Sequence, residues 1–430
     1  MTECRNKETE RREFLQGAAL GMVGAAASPG QTQADAKPLR VGVVGVGSRG
    51  TYLTNTLVRL AQQGEPLEIA AVCDIYQPRL ERAEVRFKAK GFKHSADMLK
   101  EVQLDAVVIA TPDRHHLHNL REAIRAGKDV YCEKPLSHWA QFDLLKAVVH
   151  ENRKLQRIVT VGTQGVGDSA WEKAAEMIKG GALGKPVQAQ CSYFRRGDSG
   201  ERGMRIDDPN AKPGVGVEWE KFQADAPRQV FNVSRLFQWR LYAEYSGGPV
   251  TDVYPHAVAP LYKALQPGLP KKVVAVGGRY FYNHDRTVPD CFDLLIQYPQ
   301  NLTVVVLGGM INSTPVDALV RGTEATMIRT LDALVFEPQR DRIRTPEGGF
   351  KIVEARPAAK VPLDTPGRAI EGNVTLNLND FLQAVRTRKR PKSDLELGYQ
   401  VQVPLIMAMR SHLENKAALF DPDREVIRMS

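Results

Sequence analysis

An apolar run, Leu39 to Val44, feeds directly into Gly45-Val46-Gly47-Ser48-Arg49-Gly50, and Thr51 to Leu60 then reads as a helix. Few folds accept a buried strand, a Gly-x-Gly-x-x-Gly turn and a helix in that order. Gly45 makes the tight turn, Gly47 lets the backbone approach a pyrophosphate, and Gly50 lets helix and strand pack closely, with Ser48 and Arg49 opening the helix whose N-terminus meets the phosphates. The next strand, Leu67 to Cys73, ends at Asp74, where a carboxylate accepts hydrogen bonds from the adenosine ribose hydroxyls and repels a 2′-phosphate. NAD is therefore expected over NADP, although Arg79 and Arg82 keep the second choice open.

The alternation continues with helix Gln77 to Lys88, a short helix near Ala96 to Glu101, strand Asp105 to Ala110, helix His116 to Ala126, strand Asp129 to Cys132, helix Trp139 to Glu151 and strand Ile158 to Gly162. Strands alternating with helices mean a doubly wound parallel sheet, a Rossmann arrangement. From about residue 165 strands follow one another instead, at Val187 to Phe194, Lys272 to Tyr282, Cys291 to Tyr298 and Leu302 to Leu307, which predicts an α+β domain with a largely antiparallel, open sheet. Amphipathic segments Leu376 to Arg388 and Leu397 to Leu413 are expected to return to the first domain. The 430 residues thus divide into 1–36, a Rossmann domain 37–164, a substrate and oligomerisation domain 165–375, and closing helices 376–430.

Glu10-Arg11-Arg12-Glu13-Phe14-Leu15-Gln16 precedes the uncharged small-residue stretch Gly17 to Ala27, too short to span a bilayer, with Ala-x-Ala cleavage sites ending at Ala27 and Ala36. This reads as a twin-arginine signal, which implies export of a protein that folds around its cofactor before crossing, and a periplasmic or otherwise extracytoplasmic location. No membrane span is expected. The net charge of +9 is spread along the chain, which argues against nucleic-acid binding. The five cysteines show neither CxxC pairing nor His/Cys ligand spacing, so no metal site is expected.

Ala110-Thr111-Pro112 with His116 five residues beyond Thr111, and Ala126-Gly127-Lys128 running to Glu133-Lys134-Pro135, resemble the Gfo/Idh/MocA family of oxidoreductases. The resemblance extends through Gly180 to Pro186, Gly247 to His256 and Asn379 to Pro391, and covers nearly all of residues 38 to 415. It implies that Thr111, Pro112, His116, Glu133, Lys134 and Gln164 serve the cofactor, and that Lys134 also reaches the reacting hydroxyl. Lys134 as ammonium can stabilise negative charge on that oxygen. His256 is the expected general base, an imidazole near neutrality. Asp252, four residues earlier, completes the family's Asp-x-x-x-His pattern and is expected either to orient the imidazole or to hold a neighbouring substrate hydroxyl. One departure stands out: Tyr254 occupies the place where the family commonly has glycine, with Pro255 next to the histidine.

The resemblance implies a sugar or polyol substrate. Trp239, Arg240, Tyr242 and Tyr254 are candidate substrate contacts, since aromatic rings stack on apolar sugar faces and arginine reaches hydroxyls; loop packing or a subunit contact explains the same aromatics equally well. A homodimer or homotetramer is expected. An exported enzyme lacks a soluble NADH pool, so the nicotinamide is expected to be tightly held and recycled in place. Two further readings stay open: a redox-neutral glycosidase or lyase working through a keto-sugar, with Tyr254, Asp252 or Tyr242 as the extra acid-base group, and a non-catalytic sugar sensor on the same fold.

Overall fold

The computed structural model describes residues 37–197, 204–282, 285–340, 342–352, 357–367 and 370–430. The leader read at 1–36 lies outside the described residues.

Six parallel strands form the first sheet: β1 (Leu39–Val44), β2 (Leu67–Cys73), β3 (Lys90–Phe92), β4 (Ala106–Ile109), β5 (Asp129–Cys132) and β6 (Val159–Val161), in the spatial order β3-β2-β1-β4-β5-β6. Successive residues of a strand face opposite ways, and both sides are covered here, which is why these strands read as unbroken apolar runs. Val41 and Val43 pack in one cluster with Leu53 and Leu57 of the helix Ser48–Gln62 and with Phe381 and Leu382 of the late helix Ile370–Thr387. Val44, Val107 and Ile109 belong to the cluster on the other side, with Leu117, Leu120 and Val148. The chain leaves β1 for β2 on one side and β4 occupies the other, so the order reverses at β1 and opens a crevice at the carboxyl edge.

The second sheet is ten-stranded and mixed. Its middle strand, Pro186–Phe194, pairs parallel with Thr303–Gly309 and antiparallel with Leu319–Gly322. The remaining pairings in the sheet are antiparallel. Phe292, Leu294 and Ile296 alternate inward and are buried, whereas Leu295 between them is 52% exposed. Helices Pro255–Leu265 and Leu395–Glu414 contribute to the same core cluster as that inward set, and Val274, Val276 and Leu295 lie exposed.

The closing segment 376–430, expected as helices, also supplies two strands, Ala418–Asp421 and Val426–Met429, to the edge of the second sheet; the other differences from the sequence-based expectation are local. β3 was not anticipated; its three residues pair with Ala71, Val72 and Cys73 at the sheet edge. The helix expected from His116 starts at Asp113, directly after Pro112. The helix expected from Trp139 begins at Phe142, because the Trp139 indole donates to the Ala243 carbonyl at 2.9 Å and Gln141 accepts from the His138 amide, turning the chain before the helix starts. The late helix begins at Ile370 rather than Leu376.

Candidate active site

The glycine turn is built as its sequence requires. Gly45 has φ +86°, and a Cβ there would stand 2.8 Å from the Ala110 carbonyl carbon at the end of β4. A Cβ on Gly50 would come within 1.8 Å of the Gly45 carbonyl oxygen, so turn and helix approach only because both are glycine. Gly47 precedes the first turn of Ser48–Gln62 without a side-chain cap, which leaves amide donors facing the crevice. Asp74 accepts from the Val46 amide and from the Tyr76 amide, each at 2.9 Å; a carboxylate has further lone pairs for ribose hydroxyls. These features line a cavity of about 680 Å³ that runs on past Thr111, Pro112, Glu133 and Lys134 to Trp239 and Arg240. The residues present fit a dinucleotide.

Around Glu133 and His116 the two middle loops are braced. Arg49 Nε donates to Glu133 Oε1 at 2.7 Å, and the Gln164 amide donates to the same oxygen at 2.9 Å. Gln164 therefore supports Glu133 and is not among the residues lining the cavity. The His116 ring nitrogens approach the Pro135 and Thr111 carbonyl oxygens at 2.5 and 2.9 Å, tying the Thr111-Pro112 turn to the Lys134-Pro135 loop.

Lys134 Nζ donates to Asp252 Oδ1 at 2.6 Å and to the Asp252 carbonyl oxygen at 2.7 Å, while Arg240 Nε donates to Asp252 Oδ2 at 3.0 Å. Against the cost of burial, Arg240 and Lys134 pull the Asp252 carboxyl well below the usual carboxylate range. Lys134 and Arg240 face the cavity, and Asp252 stands behind them as a shared anion. Asp252 and His256 are not on one helix: Gly248–Asp252 ends before Pro255–Leu265 begins. The carboxylate is engaged by the two cations, and burial together with Lys134 and Arg49 pushes the His256 imidazole down to about 3, so it is held neutral rather than near its midpoint.

Asp113 is a residue that the sequence reading missed. It is fully buried, with the Ser246 side chain close by but no hydrogen bond of ordinary geometry to either carboxyl oxygen among the described residues. Burial and the nearby Asp252 raise its carboxyl, with Arg240 and Lys134 opposing. The helix read from the sequence began at His116, which left Asp113 in the turn before it with no signal of its own.

A model of the GFO_IDH_MocA family, oxidoreductases with an NAD-binding Rossmann fold, matches residues 39–163. The matched stretch contains the glycine turn, Thr111-Pro112 and Glu133-Lys134-Pro135. Over 155 residues the chain is 32% identical to inositol 2-dehydrogenase 3 of Saccharopolyspora erythraea, covering 36% of this chain and 45% of that protein. Over 187 residues it is 30% identical to inositol 2-dehydrogenase of Rubrobacter xylanophilus, covering 43% of this chain and 48% of that protein. The chain spans about half the length of the curated relatives it matches. Levoglucosan dehydrogenase, solved with NADH and levoglucosan, superposes with a TM-score of 0.65 at 18% identity, covering 89% of this chain and 99% of that one. The WlbA dehydrogenase of Bordetella pertussis, solved with NADH and UDP-GlcNAcA, gives 0.62 at 18% identity, covering 90% and 98%. These likenesses show that the fold, the second sheet included, is shared with those solved structures.

Two expected substrate contacts change place. Tyr254 is buried with 0% exposure and its hydroxyl donates to the Phe292 carbonyl at 2.6 Å, inside the core of the second sheet. Its ring is the reason Gly308 is glycine, since a Cβ there would lie 2.2 Å from the hydroxyl. Tyr242 donates to the Ser234 hydroxyl at 2.8 Å and packs among aromatic neighbours away from the cavity. Trp239 and Arg240 do reach the cavity, with the guanidinium 4.2 Å from the indole centroid. Of the three groups considered for an elimination route, Tyr254 and Tyr242 are thus turned away and Asp252 is engaged by two cations.

Proposed function

We propose that the chain is an NAD-dependent oxidoreductase that moves hydride between a hydroxyl-bearing carbon of a sugar or polyol and the nicotinamide. The observation that carries this is the Lys134–Asp252–Arg240 constellation beside the cavity that also holds the glycine turn and Thr111-Pro112. NAD, when bound, supplies the hydride acceptor. Two of the Lys134 donor directions are spent on Asp252, which leaves one for a substrate oxygen and stabilises charge there as the hydroxyl loses its proton. His256 is the base of this reading by its place four residues after Asp252; it is not among the residues lining the cavity, and burial holds its imidazole below the range of an efficient base, so substrate has to bring it into reach and raise its basicity. The Trp239 face offers an apolar surface to ring C–H groups, with Arg240 beside it for oxygens.

The substrate class is supported by relatives named as inositol 2-dehydrogenases and by a levoglucosan dehydrogenase of the same fold. Lys134, Asp252 and His256 are all present, which weighs against a non-catalytic sensor. We read residues 1–36 as a twin-arginine leader, place the mature protein outside the cytoplasm with a tightly held NAD, and assign the exposed sheet face with Val274, Val276 and Leu295 to contact between copies in a dimer or tetramer. Among the described residues no helix is long and apolar enough to cross a membrane.

Protein purified without added nucleotide and then denatured should release NAD(H) in near-equal molar amount, identified by mass spectrometry. Release of nothing, with only weak and reversible NAD binding, would contradict the tight-binding part of this reading.

A further inference from the structure

Residues 204–245 belong to neither sheet of the core. They fold around a small aromatic cluster of their own, in which Trp219 stacks on Phe222 at 5.3 Å with Tyr245 edge-on to both. One member of this cluster comes from the other domain. Tyr76, two residues past Asp74, is 5% exposed and meets Phe237 edge-to-face with ring centroids 5.2 Å apart.

Polar contacts fasten the segment to the same stretch of the Rossmann sheet edge. Asp207 accepts from Arg79 Nε at 2.7 Å and pairs with Arg82 at 3.4 Å. Val217 makes a β-bridge with Tyr76. Glu218 lies 3.5 Å from His94 Nε2, and the Phe222 carbonyl is 2.7 Å from His115 Nε2. The anchoring residues Tyr76, Arg79, His94 and His115 follow β2, β3 and β4 at their carboxyl ends, so the contacts flank the cavity on its Asp74 side. There the wall is shared: Ile75 and Arg79 from the sheet, Phe222, Leu236 and Phe237 from the segment. An apolar, partly aromatic wall facing a ribose-binding carboxylate has the chemistry of a purine site.

We propose that residues 204–245 complete the adenosine subsite, so that the dinucleotide is enclosed between the two domains at its adenosine end and leaves only when this segment loosens. The proposal rests on NAD occupying the groove above Asp74. It supplies a physical basis for retention, since release then requires breaking the Asp207–Arg79 pair and parting Phe237 from Tyr76, and slow opening shows up chiefly in the dissociation rate.

The test is NADH release from the full chain, followed by nicotinamide fluorescence after mixing with excess NAD, for the wild type and for Asp207→Asn. Asp207→Asn keeps the shape but weakens the pairing with Arg79, and release is expected to be at least about tenfold faster while the melting temperature of the nucleotide-free protein stays unchanged. Glu218→Gln, at the separate contact with His94, should speed release in the same direction and serves if the first variant does not fold. Release at the wild-type rate in both variants overturns the clasp and leaves NAD binding in place. Failure of the wild type to bind NADH at all overturns the clasp and the NAD reading together.

Discussion

Lys134 and Asp252 meet twice, through the carboxylate at 2.6 Å and through the Asp252 carbonyl oxygen at 2.7 Å, although 118 positions separate them in the chain. The pairing joins the end of the parallel sheet to the second domain and fixes the ammonium where the cavity passes between them. Arg240 completes the site from the other carboxylate oxygen. Two cations share one buried anion, so the anion is the more consequential member.

Asp252→Leu should therefore destabilise the fold by about 3 kcal/mol or more, because Lys134 and Arg240 lose their common partner in a buried setting. Denaturant unfolding measures it. Asp252→Asn, which keeps the shape and one acceptor, should cost less stability and still lower turnover, since the ammonium is no longer held in place.

Asp113 and His256 give opposite pH dependences. Burial lowers His256 to about 3 from an unfolded value of about 6.5, so its contribution to stability is present above about pH 6.5 and is lost as pH falls towards 3. Burial beside Asp252 raises Asp113, so its contribution is present below the ordinary carboxylate range and is lost as pH rises towards the raised value. Melting temperatures across pH should show Asp113→Asn gaining on the wild type as the solution becomes more alkaline. His256→Gln should lose less than the wild type on acidification.

Gly50→Ala should abolish NADH binding and lower stability by about 1–3 kcal/mol, because its Cβ would overlap the Gly45 carbonyl oxygen and push the helix start away from the turn. A fluorescence titration and a thermal melt separate the two effects. Gly64→Ala is a control: a Cβ there meets nothing within 4 Å, so nucleotide binding should persist whatever its own positive φ costs locally.

The parallel sheet was legible because its signals are local: β1, β2 and β5 have the residue ranges that their apolar runs predict, and the glycine turn needs only six consecutive residues. What the sequence concealed depends on distant partners. Asp113 looks like any acidic residue of a loop before a helix until Asp252 is brought beside it. Arg79 reads as a candidate for a 2′-phosphate until Asp207, 128 positions away, takes its guanidinium. Tyr254 sits between Asp252 and His256 in sequence, yet the break between two short helices turns its ring into the second sheet's core instead of the cavity. A periodic pattern shows that a residue is buried without showing which wall it belongs to.

Transfer of deuterium tests the central claim most directly. The full chain, loaded with NAD, is mixed with polyols and sugars carrying deuterium on hydroxyl-bearing carbons, and the nicotinamide is recovered and weighed by mass spectrometry. Label is expected in the dinucleotide with the wild type, and at a rate reduced by about 10²–10⁴ with Lys134→Ala, each protein being compared at a nucleotide concentration that saturates it. A wild type that binds NAD yet takes no label from any of these compounds, or a Lys134→Ala variant that takes it at the wild-type rate, would contradict the account.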